Sequence, residues 1–460
     1  MIFLTPAFLA FALLTVLIAQ YRPRGLAPLG LALAVDLGFM LLFLHAAQTG
    51  ILIGFSLLGF AMLRLGARRG MLPLALGVTL AVFIVLKKYA FLPALLKPES
   101  LPVAVGLSYV LFRLLHLIAD RGQGGEVAPG LLAHLHYSLH APALFSGPFQ
   151  RYEEHLALMQ EAPRPSPLPQ LARMGNGFLK VVVVAKLLKA LQQALVPQVA
   201  FDPHGLVHLL AGGLVWVIFM YYNFSGYMDI VVPWARLCRL DLPENFDRPL
   251  LADSFLDFWS RWHMTMTNWF KTYVFSPLMM AFARRTSTRN GAIAASAGAF
   301  FFTFLLVGAW HGPYTSFLVC GLLLGAGATV NQVAREWLRR RRKHRPPLPG
   351  AGVLRLLGAG LNFTFIGVAV SPFWLQGGQF LRFLGALAAP SGLAVFALTC
   401  AAVALAVAVL RPLMTAWLAL VQRLSSLVDS PFGVAARLVF LALFVLTASS
   451  ALPDFVYKGI

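Results

Sequence analysis

Long apolar runs, separated by arginine-rich or proline-rich stretches, set the pattern of this chain. A helix crosses a bilayer in about 20 residues, and runs near that length can be marked at residues 3–20, 26–46, 51–63, 72–86, 101–118, 178–195, 206–222, 291–309, 314–330, 353–370, 393–409 and 434–446. Some are short or interrupted by polar residues. The pattern therefore predicts an all-α polytopic membrane protein of ten to twelve tilted helices, one or more of them re-entrant. The first run lacks a basic start and a small-residue cleavage site, so it reads as a retained helix. PRPSPLP at 163–169 and HRPPLP at 344–349 read as cytoplasmic loops. With no repeat or linker, the expectation is a single membrane-embedded domain over residues 1–460.

One segment breaks the apolar rhythm. Asp229, Asp241, Glu244, Asp247, Asp253 and Asp257 concentrate six of the 17 acidic residues in a short stretch. From 253 to 278, apolar and aromatic residues mix with Arg261, His263, Asn268 and Lys271. That mixture suits an amphipathic helix at the membrane interface, with Trp259, Trp262, Trp269 and Tyr273 as an aromatic belt, or a helix entering the protein part-way.

Composition agrees: 59% hydrophobic and 12% charged residues over 460 positions, with mean hydropathy +0.76, lie outside the range of soluble domains. The net charge of +20 is explained by basic residues kept on the cytoplasmic side, and nucleic-acid binding is the poorer reading. Clusters at Arg22/Arg24, Arg64/Arg68/Arg69, Arg284/Arg285/Arg289, residues 335–345 and Arg411/Arg423 are all cytoplasmic if the N-terminus is outside. Lys87 and Lys88 then fall on the other side. Cys238, Cys320 and Cys400 are odd in number and lack CxxC spacing, which suggests neither a disulfide framework nor a thiolate metal site.

Against this background His311, in the sequence WHG between the runs 291–309 and 314–330, stands out. A buried polar side chain at mid-membrane costs about 2 to 3 kcal/mol on permissive scales, so a retained imidazole marks a functional site or an interhelical hydrogen bond. The arginine pattern places it toward the extracytoplasmic end. His134, His136 and His140, and His204 with His208, invite a metal reading, but neither HExxH nor CxxC accompanies them, so no metal and no tightly bound cofactor is expected. No glycine-rich phosphate loop is present either.

NFSGYMD at 223–229, LPENFDRP at 242–249, DFWSRWHM at 257–264 and GAWHG at 308–312 resemble, in order and spacing, the signature of membrane-bound O-acyltransferases. The bacterial branch of alginate O-acetylation and teichoic acid D-alanyl transfer proteins is the nearer one. LPVAVGLS at 101–108 with Asp120, and ALFSGPFQRY at 143–152, fit too, so the signature core covers about 87–331. The resemblance implies a ring of tilted helices around a thin centre, where an outer funnel meets a cytoplasmic tunnel. It maps the family's catalytic histidine onto His311 and a second histidine position onto His263. It also implies an acyl group taken from a cytoplasmic thioester, acetyl-coenzyme A or a carrier protein, and delivered to a hydroxyl.

Such a transfer needs a base for the hydroxyl proton, and a near-neutral imidazole contributes about 10²- to 10⁴-fold. His311 takes that role, His263 assists or orients, and Trp310 walls off water. Arg261 and Asn268 are candidate donor contacts, although Arg261 lies four residues after Asp257, a good helical ion-pair spacing. Gly308 and Gly312 allow close approach of substrate or of a packed helix, while Asp229, Glu244 and Asn245 read as structural supports. The expected function is transfer of an acyl group, most simply acetyl, across a bacterial inner membrane to an extracytoplasmic glycan or an SGNH-type acyltransferase partner. D-alanyl transfer is the alternative. A proton-relay transporter and a non-catalytic scaffold are the readings from other classes; transporters of common type carry paired half-repeats, and none is found here.

Overall fold

A computed structural model of the chain describes residues 5–21, 28–97, 100–125, 128–161, 165–342, 350–423, 430–437 and 439. Within them regular structure is helical apart from an isolated antiparallel bridge between Phe246 and Trp262. Six helices are long and apolar enough to cross a membrane, and three shorter apolar helices join them. These nine match nine of the expected runs. The expectations for 344–349, Arg22/Arg24 and most of 434–446 fall outside the described residues.

Residues Met1–Leu179, Gly226–Glu244 and Val434–Ile460 form one compact unit, and Lys180–Ser225 with Asn245–Gly433 form another. The first contains α1 (Pro6–Tyr21), α2 (Pro28–Phe43), α3 (Ala46–Gly66), α4 (Leu72–Lys87), α5 (Leu107–Gly122), α6 (Leu131–Leu139), α7 (Tyr152–Glu161) and α8 (Pro167–Phe178). Its core joins Leu63, Ala75, Leu117, Ile118, Tyr137 and Tyr152. Two sequence expectations shift here. The run at 101–118 is not a simple span: its helix begins at Leu107 and buries Arg113 and His116. Arg113 is tolerated because it donates to the carbonyls of Ser138 at 3.0 Å and Ala143 at 2.6 Å, which satisfies a charge that burial would otherwise make costly. The proline-rich stretch at 163–169 turns into α8 at Pro167, since proline fits the first turn of a helix, where its missing N–H has no partner to lose.

The second unit contains α9 (Lys186–Leu195) and the greater part of α10 (Pro203–Leu237), then α11 (Phe255–Arg261), α12 (Met264–Phe270), α13 (Ser276–Ala283), α14 (Arg289–His311), α15 (Thr315–Arg342), α16 (Ala351–Ala369), α17 (Gly377–Ala388) and α18 (Pro390–Arg423). The run expected at 178–195 is a π-helix, Leu179–Ala185, that continues as α9. The central window of α10 is 56% buried and that of α18 only 6%, so α18 presents an apolar surface on most of its circumference, as a lipid-facing helix does. Glycine allows close helix approach: a Cβ on Gly308 would run into the backbone of Gly321, which locks α14 against α15. The helix α15 continues through Arg342, so the basic cluster expected at 335–345 lies on a helix over its described part.

Candidate functional site

The mixed segment at 253–278 folds as two short helices, α11 and α12, with His263 at the break, followed by a π-helix, Lys271–Phe275, and the start of α13. Ser254 caps α11, its hydroxyl accepting from the Asp257 N–H at 3.3 Å. Residues 245–247 run antiparallel to 261–264: the Asp247 N–H donates to the Arg261 carbonyl at 3.0 Å, and the Met264 N–H to the Asn245 carbonyl at 2.9 Å. Two sequence signatures, LPENFDRP and DFWSRWHM, thus meet as the two sides of one turn. His263 closes it in the left-handed region, φ +45°, a conformation that costs a non-glycine residue energy and persists where the surroundings enforce it.

Asn245 supplies that enforcement. Its Oδ1 accepts from the Thr265 N–H at 3.2 Å and from the Thr265 hydroxyl at 2.7 Å, and His263 Nδ1 lies 3.2 Å away. A backbone N–H can only donate, so the oxygen assignment is sound and His263 carries its proton on Nδ1. Nε2 then holds the lone pair. The ring is fully buried and packs T-shaped with Phe224, the ring centres 4.9 Å apart. Burial, followed by the nearby His311, lowers the His263 pKa and keeps the ring neutral.

His311 ends α14 and is 5% exposed. Its ring packs against Trp310 at 4.8 Å and edge-on against Phe373 at 5.2 Å. Gly312 continues as extended backbone, and a Cβ there would collide with the Phe317 ring. The two glycines of GAWHG therefore act as packing contacts, one between helices and one beneath an aromatic ring.

Two cavities are lined by residues near this histidine, and His311 itself is in neither lining. One, of about 280 Å³, is lined by Trp259, Met266, Phe270, Phe304 and Val307, with Lys271 and Arg335 as its cationic residues. Val307 lies one helical turn before His311. The other, of about 620 Å³, is lined by Tyr314, Phe317, Phe373 and Trp374, and Phe373 is the residue packed on the His311 ring.

The remaining expected residues sort by position. Arg261 Nε holds Asp257 Oδ1 at 2.9 Å and is not among the residues lining the first cavity. Asn268 is exposed and also outside that lining. Trp259 and Trp262 are buried, so they are not an interfacial belt; the segment enters the protein because its indoles pack on Phe304 and Phe258. Asp229 and Glu244 both engage Arg173, at 2.9 and 2.6 Å, and form an ion-pair network within the first unit. His204 and His208 face each other at 3.3 Å and join no third candidate metal ligand among the described residues. The three cysteines form no disulfide. Sequence reasoning gave no role to Arg335 and Phe373. Arg335 stood in the basic cluster and was read as a topology signal, and nothing local marks Phe373.

A sequence model of the membrane-bound O-acyltransferase family matches residues 108–367, more than half the chain. The chain is 25% identical over 289 residues to a teichoic acid D-alanyltransferase of Streptococcus thermophilus, covering 60% of this chain and 69% of that protein. It is 24% identical to the teichoic acid D-alanyltransferase of Bacillus subtilis, covering 58% and 68%. A probable alginate O-acetylase of Pseudomonas fluorescens is 25% identical over 56% of this chain and 50% of its own length.

Proposed function

This chain belongs to the membrane-bound O-acyltransferase family, is a multi-pass membrane enzyme of that chemistry, and we propose that it carries an acyl group from a cytoplasmic thioester to a hydroxyl on the far side of the membrane. The observation that carries this reading is the position of His311, with one cavity reached through Val307 in its own helix and another through Phe373 against its ring.

In this reading the N-terminus is extracytoplasmic and residues 335–342 are cytoplasmic, which follows the positive-inside bias. The cavity bearing Arg335 then opens toward the cytoplasm and admits the donor. Lys271 and Arg335 complement the phosphates of a pantetheine-bearing donor, and the aromatic walls hold its acyl chain away from water. The acceptor enters from the other cavity. His311 takes the proton of its hydroxyl, and the oxygen attacks the thioester carbonyl. The tetrahedral intermediate collapses with cleavage of the C–S bond, and the thiolate leaves with the proton from His311. His263, neutral and oriented by Asn245, steadies His311 as its charge develops.

The donor is acetyl in the simplest case, with an envelope glycan or an SGNH-type relay protein as acceptor in a bacterial inner membrane. The second reading, D-alanyl transfer, is favoured by the greater share of the D-alanyltransferases that the chain spans. Proteoliposomes with the cytoplasmic face outward separate these. Radiolabel from acetyl-coenzyme A should reach an acceptor enclosed in the lumen, and D-alanyl carrier protein should not support it. Transfer only from D-alanyl carrier protein would assign the second reading, and transfer from neither donor would reject a cytoplasmic thioester.

A further inference from the structure

Far from GAWHG in sequence, the first unit buries a second histidine cluster. Asp36 of α2, His136 of α6 and His140 just after α6 are 1%, 1% and 3% exposed. His136 Nδ1 lies 2.6 Å from Asp36 Oδ2, and His140 Nδ1 lies 3.8 Å from Asp36 Oδ1. One ligand atom from each residue falls within 4.8 Å of the others. His155, also 3% exposed, places its ring 5.1 Å from His136 and 5.5 Å from His140.

A hydrogen bond between Asp36 and His136 accounts for only part of this. Neither nitrogen of His140, nor Nε2 of His136 or His155, has a hydrogen-bond partner among the described residues. Buried polar atoms are ordinarily satisfied, and a ligand shared with Asp36 and His136 would account for His140 Nδ1, though not for the three Nε2 atoms. His134, also on α6, is not part of the cluster: its Nε2 lies 2.9 Å from the Ser56 carbonyl, and its Nδ1 is likewise without a hydrogen-bond partner among the described residues. The spacing of His134, His136 and His140 carried no metal reading by itself, and it is Asp36, 100 residues before His136, that changes the donor set.

The geometry points to a divalent first-row transition metal, zinc by preference, held by Asp36, His136 Nδ1 and His140 Nδ1. Two imidazoles and a carboxylate are a donor set for such an ion rather than for calcium or magnesium, which prefer oxygen throughout. With metal–ligand distances of about 2.0–2.1 Å, tetrahedral ligand atoms stand about 3.3 Å apart. The contacts to Asp36, 2.6 Å from His136 to Oδ2 and 3.8 Å from His140 to Oδ1, bracket that spacing, and ligand atoms within 4.8 Å of one another have to shift by up to about 1.5 Å to reach it. The Ala141 N–H donates to Asp36 Oδ1 at 2.8 Å and fixes the carboxylate as an outer-sphere partner does. A cavity of about 70 Å³, lined by Asp36, His136, His140, Thr15 and Cys238, adjoins the cluster and has room for a water as fourth ligand. The ion ties α2 to the end of α6, a structural role within the first unit.

Purified, detergent-solubilised protein tests this with Zn²⁺ as the probe. Wild type should hold about one equivalent with an N/O shell at about 2.0–2.1 Å by X-ray absorption. Its thermal midpoint should fall on chelation and return on adding Zn²⁺. Asp36→Asn and His140→Gln should lower Zn²⁺ affinity by at least about 100-fold, beyond the usual loss for an outer-sphere partner, whereas His204→Ala/His208→Ala should keep the equivalent. Wild type that binds no Zn²⁺, with a midpoint indifferent to both Zn²⁺ and chelator, overturns the site without reliance on any variant. So does an equivalent lost from the His204/His208 variant but kept by the Asp36 variant. A sulfur ligand at about 2.3 Å would overturn the ligand set by bringing in Cys238.

Discussion

The two histidine clusters of this protein are built from the same side chain in different surroundings. His311 packs on Phe373, which lines one cavity, and lies one helical turn after Val307, which lines another, while His263 is held by Asn245 of a neighbouring signature. His136 and His140 are sealed beside a small cavity and are completed by an aspartate from a distant helix. An imidazole next to room for a substrate is suited to moving protons, and one next to a second imidazole and a carboxylate is suited to holding an ion. Burial alone does not separate them, since all four are nearly inaccessible.

Substitution outside His311 should break the comparison unevenly. The largest effect among such variants is expected for His263→Ala, a fall in kcat of about 10²-fold, the low end for an assisting acid–base group, measured per folded molecule in proteoliposomes. His140→Ala should leave kcat within a few-fold and instead lower the thermal midpoint. Equal losses of kcat in both variants would erase the distinction between the clusters.

A smaller effect should sharpen the donor side. Lys271→Ala and Arg335→Ala should each raise the KM for the thioester by about 10-fold, the scale of a charged hydrogen bond worth about 1.5 kcal/mol. Arg261→Ala should leave KM unchanged and cost about 0.5 kcal/mol of stability or less, as expected for a partly exposed i,i+4 ion pair. A KM effect at Arg261 with none at Lys271 and Arg335 would return the donor to the α11 face.

These contrasts follow what was legible before the structure. Six membrane-length helices and three shorter apolar ones could be read because apolar runs are local signals, and a lone imidazole between two such runs singled out His311. The pairing of LPENFDRP with DFWSRWHM was not readable as a turn, because its hydrogen bonds run between backbone groups that any residue carries. Asn245 was noticed only as a support, although its side-chain oxygen organises Thr265 and His263 together. Arg113 and His116 hid inside an apolar run, where burial with carbonyl partners looks the same as a membrane span interrupted by charge. Asp36 was invisible as a histidine partner because their contact spans 100 positions.

The most direct test of the central assignment is single-turnover acyl transfer in proteoliposomes, comparing wild type with His311→Ala and His311→Gln at saturating thioester. Both variants should insert and bind donor normally while transfer slows by about 10²- to 10⁴-fold, the contribution of a general base. Transfer at a wild-type rate by either variant would contradict the assignment of His311 as the base.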